Sequence, residues 1–440
     1  MNLPNSIQEK LSKIGITELN EMQLSSYNAI QECDNIMIKA PTGSGKTLSF
    51  LLPLIQLIDP NANEIQCLVI SPTRELCLQI ESVWKQLSTG LKVNTFYGGH
   101  SMPQEIANLS NPPYLLIGTP GRLADHISRK TINCKSIKYV VFDEFDKSLT
   151  LGFQDQIQYI IEALPNIEKK IMVSATSSIQ VPKFIEFEPH HTINFTINET
   201  EKESISFKKI IANEQQKTEM LYSLLSQLED KQAIIFCNQR DEVDNLSKWL
   251  NNRKVNHITY HGGLDQDDRE RALIKFRNKS SFYLITTDLG ARGLDIPNVS
   301  YVIHYELPLK NHEFTHRNGR TARMNAQGEI IIFEQPDILN PDYLPKEIEH
   351  LQFNPLINKI ENPVFTTIYL SGGKKEKINK VDIIGFFCQK GNVEKHDIGL
   401  IQVNDHQSFV AIRNEKVTLL INSIQSEKIK GKKLKIAVAY

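Results

Sequence analysis

The sequence predicts an α/β fold of two tandem domains, each built on a parallel sheet, followed by a small α+β plait. Three observations carry this. Short apolar runs bounded by turn residues alternate with stretches of helical apolar spacing through the first 335 positions, the rhythm of a parallel sheet. A glycine-rich loop sits directly between one such run and a helical stretch. The last part of the chain changes both its charge and its pattern.

In chain order, buried strands are predicted at 35–39 (NIMIK), 67–70 (CLVI), 139–142 (YVVF) and 171–173 (IMV) for the first domain. A second series follows at 233–237 (AIIFC), 257–260 (HITY), 283–286 (YLIT), 301–304 (YVIH) and 329–333 (EIIIF). The stretch 189–206 between the two sets is polar and lacks apolar periodicity, so the domain boundary is placed there, giving domains at 1–200 and 201–338. Residues 339–362 read as a linker with one short helix, because Pro341, Pro345 and Pro355 neither continue helices nor fill central strands. From 363 to 440 the order is strand (TTIYL), Lys-rich loop (GGKKEKINK), helix (VDIIGFFCQ), strand (IGLIQV), strand (SFVAI), helix (KVTLLINSI) and strand (KLKIAVA), a β-α-β-β-α-β plait.

Composition narrows the class without choosing the function. With 440 residues, 40% hydrophobic and 23% charged, the chain is globular and too long for one core. Its formal charge of -1 says nothing about an anionic partner, but residues 361–440 carry thirteen Lys and Arg against eight Asp and Glu. No apolar run reaches the roughly 18 residues needed to span a bilayer, and the start MNLPNSIQEKLSK lacks a signal-peptide core, so a cytoplasmic monomer without membrane partners is expected. Six cysteines without a C-x-x-C pair suggest neither a disulfide framework nor a zinc cluster; they read as small core residues.

The chemistry begins at Ala40-Pro41-Thr42-Gly43-Ser44-Gly45-Lys46-Thr47, between the strand NIMIK and the helical run LSFLLPLIQLI. Glycines let backbone N–H groups converge on one hollow at a helix N-terminus, Lys46 reaches terminal phosphates, and the Thr47 hydroxyl can ligate Mg²⁺. Ala40 stands where the general pattern has its first glycine. Asp143-Glu144-Phe145-Asp146 follows the strand YVVF, which puts two carboxylates at a strand's carboxyl end: Asp143 for the metal and Glu144 to polarise a water. In His316-Arg317-Asn318-Gly319-Arg320-Thr321-Ala322-Arg323, Arg320 and Arg323 are spaced to face one side and to stabilise a transferring phosphoryl group.

The ordered set APTGSGKT, PTRELCLQ, Gly98-Gly99, TPGR, DEFD, SAT, IIFCNQR, HGGLDQDDRE, TTDLGARGLDIP and HRNGRTAR resembles the DEAD-box RNA helicases over residues 15–335. The resemblance implies two RecA-like domains that hold ATP with Mg²⁺ and single-stranded RNA. It implies adenine reading by Gln23, phosphate binding by Ala40, Thr42, Gly43, Ser44, Gly45, Lys46 and Thr47, and coupling through Ser174 and Thr176. Gly293 and Asp295 would be second-domain nucleotide contacts, with Arg320 and Arg323 as fingers. RNA backbone contacts would come from Arg74, Gly99, Thr119, Gly121, Arg122, Arg269, Thr287 and Asp288, favouring RNA through its 2′-hydroxyls and ignoring sequence.

Two departures carry expectations. The segment Gly15–Gln23 (GITELNEMQ) lacks the family's aromatic residue and Pro-Thr pair, so ATP-over-GTP preference is expected to be weaker than in the family at large. Phe145 replaces the family's Ala and adds bulk beside the carboxylates. The tail resembles the C-terminal, RRM-like domain of the DbpA type, in which a ribosomal-RNA hairpin is gripped and nearby duplexes are remodelled during large-subunit assembly. Tyr369 and Phe409 are candidates for base stacking, and Lys374, Lys375, Lys377, Lys380, Lys430, Lys432 and Lys433 for phosphate contacts. Two other readings stay open: a general helicase of mRNA turnover or cold adaptation, and an ATP-gated RNA clamp that does not unwind.

Overall fold

The runs read as buried strands all lie in two parallel sheets, with 257–260 at the edge of the second. The computed structural model of the chain describes residues 4–41, 43–99, 101–175, 180–195, 205–288, 299–321, 328–336, 338–351 and 360–439, with the side chains of residues 205, 266 and 312 outside the description. These residues form two compact units, one up to residue 195 and one from 205 onwards.

The strands of the first unit are β1 (Asn35–Lys39), β2 (Cys67–Ile70), β3 (Val93–Phe96), β4 (Leu115–Gly118), β5 (Tyr139–Phe142), β6 (Lys169–Ser174) and β7 (His191–Asn194). They lie in the order β3-β4-β2-β5-β6-β1-β7, and every neighbouring pair is parallel. β2, β4 and β5 are buried along their whole length, as a sheet covered on both faces requires. The sequence signal was weakest at the edges. β7 buries only Ile193, and β3 shows no apolar run, so neither reads as a core strand. β4 is a four-residue run closed in by Pro112-Pro113 and Thr119-Pro120, which reads as turn.

The second unit repeats the plan with β8 (Ile205–Ile211), β9 (Ala233–Cys237), β10 (His257–Tyr260), β11 (Tyr283–Thr287), β12 (Tyr301–His304), β13 (Gly328–Glu334) and β14 (Glu349–His350). Its order is β10-β11-β9-β12-β13-β8-β14, again parallel throughout. Thus the polar stretch taken as a boundary carries strands at both its edges. The proline-rich stretch expected to hold a short helix holds, among its described residues, the two-residue strand β14 on the rim of the sheet.

The tail forms β15 (Phe365–Leu370), the helix Lys380–Lys390, β16 (Ile398–Val403), β17 (Ser408–Arg413), the helix Asn414–Ile424 and β18 (Ile436–Val438), an antiparallel sheet in the order β16-β17-β15-β18. Ile368, Leu370, Val410 and Ile412 point to the two helices and form the plait's core. The opposite face does not stand in water. Phe409 is 1% exposed and packs with Ala439 and with Ile274 of the helix Gln266–Arg277, and the half-buried Tyr369 joins them. Asn278 Nδ2 donates to Thr367 Oγ1 at 3.1 Å, and Ser280 Oγ lies 2.7 Å from the same oxygen. The plait is therefore seated on the second parallel sheet's helical layer through the face on which Tyr369 and Phe409 were expected to stack bases. That expectation is corrected: the Phe409 ring is part of a packed junction, at a ring distance of 5.6 Å from Tyr369.

Of the six cysteines, Cys67, Cys77 and Cys237 are buried and Cys33, Cys134 and Cys388 half-buried, and none is in a disulfide. Among the described residues no helix is long and apolar enough to cross a membrane.

Candidate nucleotide site and RNA interface

Strand order brings the sequence motifs together. The glycine loop leaves β1, Ser174 ends β6 and Asp143 follows β5, and these three strands are neighbours. Their carboxyl ends share one half of the sheet's upper edge, where α/β sheets hold ligands. Arg74, Gly99 and Thr119 follow β2, β3 and β4 on the other half.

Within the loop, Ala40 N–H donates to Ser174 O at 3.1 Å, extending the β1–β6 ladder to the first loop residue. Gly43 (φ 89°) and Gly45 (φ 86°) occupy the left-handed region. The positive φ favours glycine at 45, and a Cβ there would lie 2.3 Å from Gln23 Nε2, so the Gln23 amide would have to move. Lys46 opens the helix Lys46–Leu57 and donates to the carbonyls of Ala40 (2.7 Å) and Pro41 (2.6 Å). Ser44 Oγ also donates to Pro41 O, at 2.8 Å, and Thr47 is half-buried in the first helical turn. Thr42 lies outside the described residues.

A second element braces this loop. Asn20 caps the helix Glu21–Glu32: its Oδ1 accepts from Gln23 N at 2.8 Å, and Gln23 Oε1 accepts from Asn20 N at 3.1 Å. The remaining arms reach across, Asn20 Nδ2 to Ser44 O (3.1 Å) and Gln23 Nε2 to Gly45 O (3.3 Å). Asn20 was missed in the sequence, although Asn three residues before Gln at a helix start is a capping-box signal.

Asp143 and Glu144 are 5% and 6% exposed. Burial, then the neighbouring Glu144, push the Asp143 carboxyl up to about 7 against the pull of Lys46. Burial lowers Lys46 to about 8, with Glu144 and Asp143 acting against it. Burial also raises Asp146. Glu144 sits at φ 45° and takes an ion pair from the buried Lys147 at 2.6 Å, a contact the sequence did not announce. Phe145 does not stand between the carboxylates: its ring is fully buried under the sheet, edge-on to Phe142 at 5.5 Å. Among the described residues no three His, Cys, Asp or Glu side chains converge as a metal site. The Asp143 carboxyl, which burial makes costly to ionise, together with Thr47 and a phosphate loop, fits a Mg²⁺ ion completed by substrate phosphates and water.

On the other half of the edge, Arg74 begins the helix Arg74–Gln86 and lies over the Tyr97 ring at 4.7 Å. Gly99 has φ 94°. Thr119 precedes the helix Pro120–Ser128, its N–H donating to Phe96 O at 3.0 Å, and Gly121 is exposed with open space around it. Arg122 turns inward, Nε donating to Glu105 Oε2 at 2.7 Å.

In the second unit Arg269 is half-buried on the helix Gln266–Arg277, and Thr287 is buried at the end of β11. Asp288 binds Arg317, whose Nε donates to Oδ1 at 2.7 Å and whose Nη2 donates to Oδ2 at 2.5 Å. Arg317 is 1% exposed and also donates to Glu306 O (2.6 Å) and Asn238 Oδ1 (2.8 Å), so one guanidinium ties the ends of β9, β11 and β12. Sequence reasoning named Arg320 and passed over Arg317, three residues earlier in the same motif. Arg320 is 4% exposed, its N–H donating to Arg317 O. Thr176, Gly293, Asp295 and Arg323 lie outside the described residues.

In the plait, Lys374, Lys375 and Lys377 are exposed on the loop after β15. Lys430 Nζ donates to Lys377 O (3.0 Å) and pairs with Asp382 (2.7 Å), and Lys432 Nζ donates to Glu376 O (3.1 Å). Two lysine-rich segments distant in sequence are therefore fastened together into one basic edge.

Comparison with known proteins agrees with this geometry. Residues 20–184 match the DEAD/DEAH box helicase family, 216–325 the helicase conserved C-terminal domain and 367–438 the DbpA RNA binding domain. The chain is 30% identical to the ATP-dependent RNA helicase DbpA of Bacillus subtilis, over 99% of this chain and 97% of that one. It is 29% identical to that of Escherichia coli, with the same coverage of both chains. Among solved structures it is similar to Mss116p bound to ssRNA and AMP-PNP, with a TM-score of 0.68, 25% identity and coverage of 76% of this chain and 73% of that one. It shares its fold with Saccharomyces cerevisiae Dbp5, with a TM-score of 0.69 at 22% identity and coverage of 80% and 94%. A phosphate loop beside a buried acid pair, a second parallel domain and an RNA-binding plait, matched along nearly the whole chain, place it among the DEAD-box ATP-dependent RNA helicases of the DbpA type.

Proposed function

We propose that this helicase uses ATP hydrolysis to remodel RNA duplexes near a structured ribosomal-RNA hairpin held by the plait, in the course of large-subunit assembly. It works through domains at 1–200, 201–338 and 363–440 joined by a linker at 339–362. It acts as a cytoplasmic monomer. The observation that carries the catalytic half is the convergence of Lys46, Asp143 and Glu144 after β1 and β5, the two strands that flank β6, with Asp143 destabilised as an anion until a cation meets it.

In this reading Lys46 leaves the Ala40 and Pro41 carbonyls for the terminal phosphates, and the positive-φ glycines keep backbone N–H groups directed into the same hollow. Thr47 and Asp143 hold Mg²⁺, which supplies charge neutralisation at the phosphates. Glu144 accepts a hydrogen bond from the attacking water, and its ion pair with Lys147 fixes the carboxylate's direction. Gln23 reads the base. Ser174 and Thr176 couple hydrolysis to domain contact. Gly293 and Asp295 contact the nucleotide, while Arg320 and Arg323 stabilise the transferring group. Arg74, Gly99, Thr119, Gly121, Arg122, Arg269 and Thr287 serve the RNA backbone. Asp288 serves it through Arg317, which already occupies its carboxylate.

Support for the hairpin reading comes from the plait's match to the DbpA RNA binding domain and from the basic edge. With Tyr369 and Phe409 in the packed junction, phosphate contacts fall to the exposed lysines, Lys374, Lys375 and Lys377 with Lys380, Lys430, Lys432 and Lys433. The test is the full chain with Lys374, Lys375 and Lys377 changed to Glu, its ATPase activity titrated with a ribosomal hairpin RNA and with unstructured single-stranded RNA. The hairpin's half-saturation should rise steeply while the unstructured RNA's changes little, and the salt slope for the hairpin should fall by about one unit for each phosphate no longer neutralised. An unchanged preference for the hairpin would reject this assignment in favour of a general helicase.

A further inference from the structure

The turn that carries Arg320 in the second unit follows the helix Asn311–Asn318 and is held from two sides. On one side Val299 N–H donates to Arg320 O at 3.2 Å, and Thr321 Oγ1 donates to Val299 O at 2.5 Å. On the other, His304 at the end of β12 lies with Nε2 2.8 Å from Asn318 Oδ1, two residues before Arg320. An amide oxygen only accepts, so the imidazole is the donor and carries its proton on Nε2. Its Nδ1 is then left with a lone pair, and that buried nitrogen has no hydrogen-bond partner among the described residues.

His304 is fully buried and Asn318 nearly so. The imidazole sits among apolar rings, 4.8 Å from Phe314 and 6.3 Å from Phe236. Burial, and then the charge of Arg317, lower it to about 3, so it is neutral at any working pH and offers a single donor. A phenyl ring would fill this place at lower cost, because one imidazole nitrogen is stranded and the other must find a partner. What the imidazole adds is the bond to Asn318, which fastens the last helical residue to the end of β12. Arg317, the residue before it, is fixed separately by Asp288, Glu306 and Asn238. Successive helical residues point about 100° apart, so two neighbouring anchors fix the rotation of the helix end where one would leave it free.

We infer that His304 and Asn318 are positioning residues for Arg320: their buried hydrogen bond sets the rotation and depth of the helix end from which the arginine serves the transferring phosphoryl group. The inference rests on the reading of Arg320 as a group that stabilises that transfer.

The experiment is a double-mutant cycle in the full chain. It compares Asn318→Ala, His304→Phe and Arg320→Ala, and each of the first two combined with Arg320→Ala, by RNA-stimulated ATP hydrolysis with thermal unfolding in parallel. His304→Phe keeps a ring beside Phe236 and Phe314 and removes the donor. Each of the first two should lower the maximal rate about tenfold, because a small displacement of a group that acts in the transition state costs rate. Half-saturation by ATP and by RNA should stay within about twofold. On top of Arg320→Ala, either should change the rate by less than about twofold, since nothing remains to be positioned. A parental rate in both single variants overturns the inference. So does the same tenfold loss with and without Arg320, which would mark a general packing role. Should Asn318→Ala fail to fold, His304→Phe decides by the same comparison. If Arg320→Ala is slow while the other single variants are not, only the positioning role fails; if Arg320→Ala itself hydrolyses at the parental rate, Arg320 has been misread and the inference falls with it.

Discussion

Thr367→Val tests whether the plait is held on the second domain by a buried hydroxyl. Thr367 lies on central strand β15, 1% exposed, on the face opposite the plait's own core. Valine matches its shape and suits a strand, so the plait should fold unchanged. What the substitution removes is the oxygen shared by Asn278 Nδ2 and Ser280 Oγ. Leaving a buried polar group unsatisfied costs about 1–3 kcal/mol. Ser280 can turn its hydroxyl elsewhere, whereas Asn278 is in a poorer position, since its Oδ1 already lacks a hydrogen-bond partner. The added methyl returns about 0.8 kcal/mol of burial. The net loss is then about 1.2 kcal/mol at the middle of that range, some eightfold in the ratio of seated to unseated plait. Hydrogen exchange in β15 and in the helix Gln266–Arg277, read beside the unfolding temperature, should show that change at the junction with the plait's core protection retained. Equal exchange in both proteins would show that the polar contact does not hold the seat, and the reasoning from stranded donors would fail.

Further outcomes concern the nucleotide site and its neighbour. Glu144→Gln should bind ATP and RNA nearly as the parent does and lower turnover by at least about a hundredfold, measured by steady-state hydrolysis beside nucleotide binding; parental turnover would remove Glu144 from its role. Nucleotide affinity with Mg²⁺ should peak between about pH 7 and pH 8. Below about 7 Asp143 is protonated and must release a proton to meet the cation, while above about 8 Lys46 loses its charge; calorimetry in buffers of different ionisation enthalpy should detect the released proton. The same raised carboxyl contributes stability that is present below its unfolded value and lost as pH rises through about 7. Asp143→Asn should therefore raise the unfolding temperature of the ligand-free protein at pH 7.5 while abolishing turnover. Arg317→Ala leaves the half-buried Asp288 without its cation and Asn238 without its donor, and should cost about 3–5 kcal/mol in urea unfolding; a cost below about 1 kcal/mol would mean that the hub is dispensable.

The parts legible in the sequence are those whose physics is local. The loop around Gly43 and Gly45 announces itself because positive φ, a preceding strand and a following helix occur within a few residues. Asp143 announces itself as a carboxylate at the end of an apolar run. What escaped depends on partners distant in the chain. Glu105, on a short helix with polar neighbours, looks like a solvated residue until folding sets it between Arg122 and His126. Tyr369 and Phe409 alternate correctly for the outer face of a plait, and nothing in β15 or β17 states that Ile274 covers that face. Periodicity identifies the two faces of a strand, but burial is decided by what the rest of the chain supplies. The polar members of that junction point the same way: a threonine at the centre of a strand reads as a solvent-facing β-former, yet Thr367 is buried because Asn278 and Ser280 satisfy its hydroxyl. With one face covered, the proposed RNA contacts fall to the loops, where Lys430 and Lys432 use hydrogen bonds to fasten one basic segment to another. In the proposed reading the plait's sheet serves attachment and its lysine edge serves the RNA, a division of labour that two exposed-looking aromatics alone argued against.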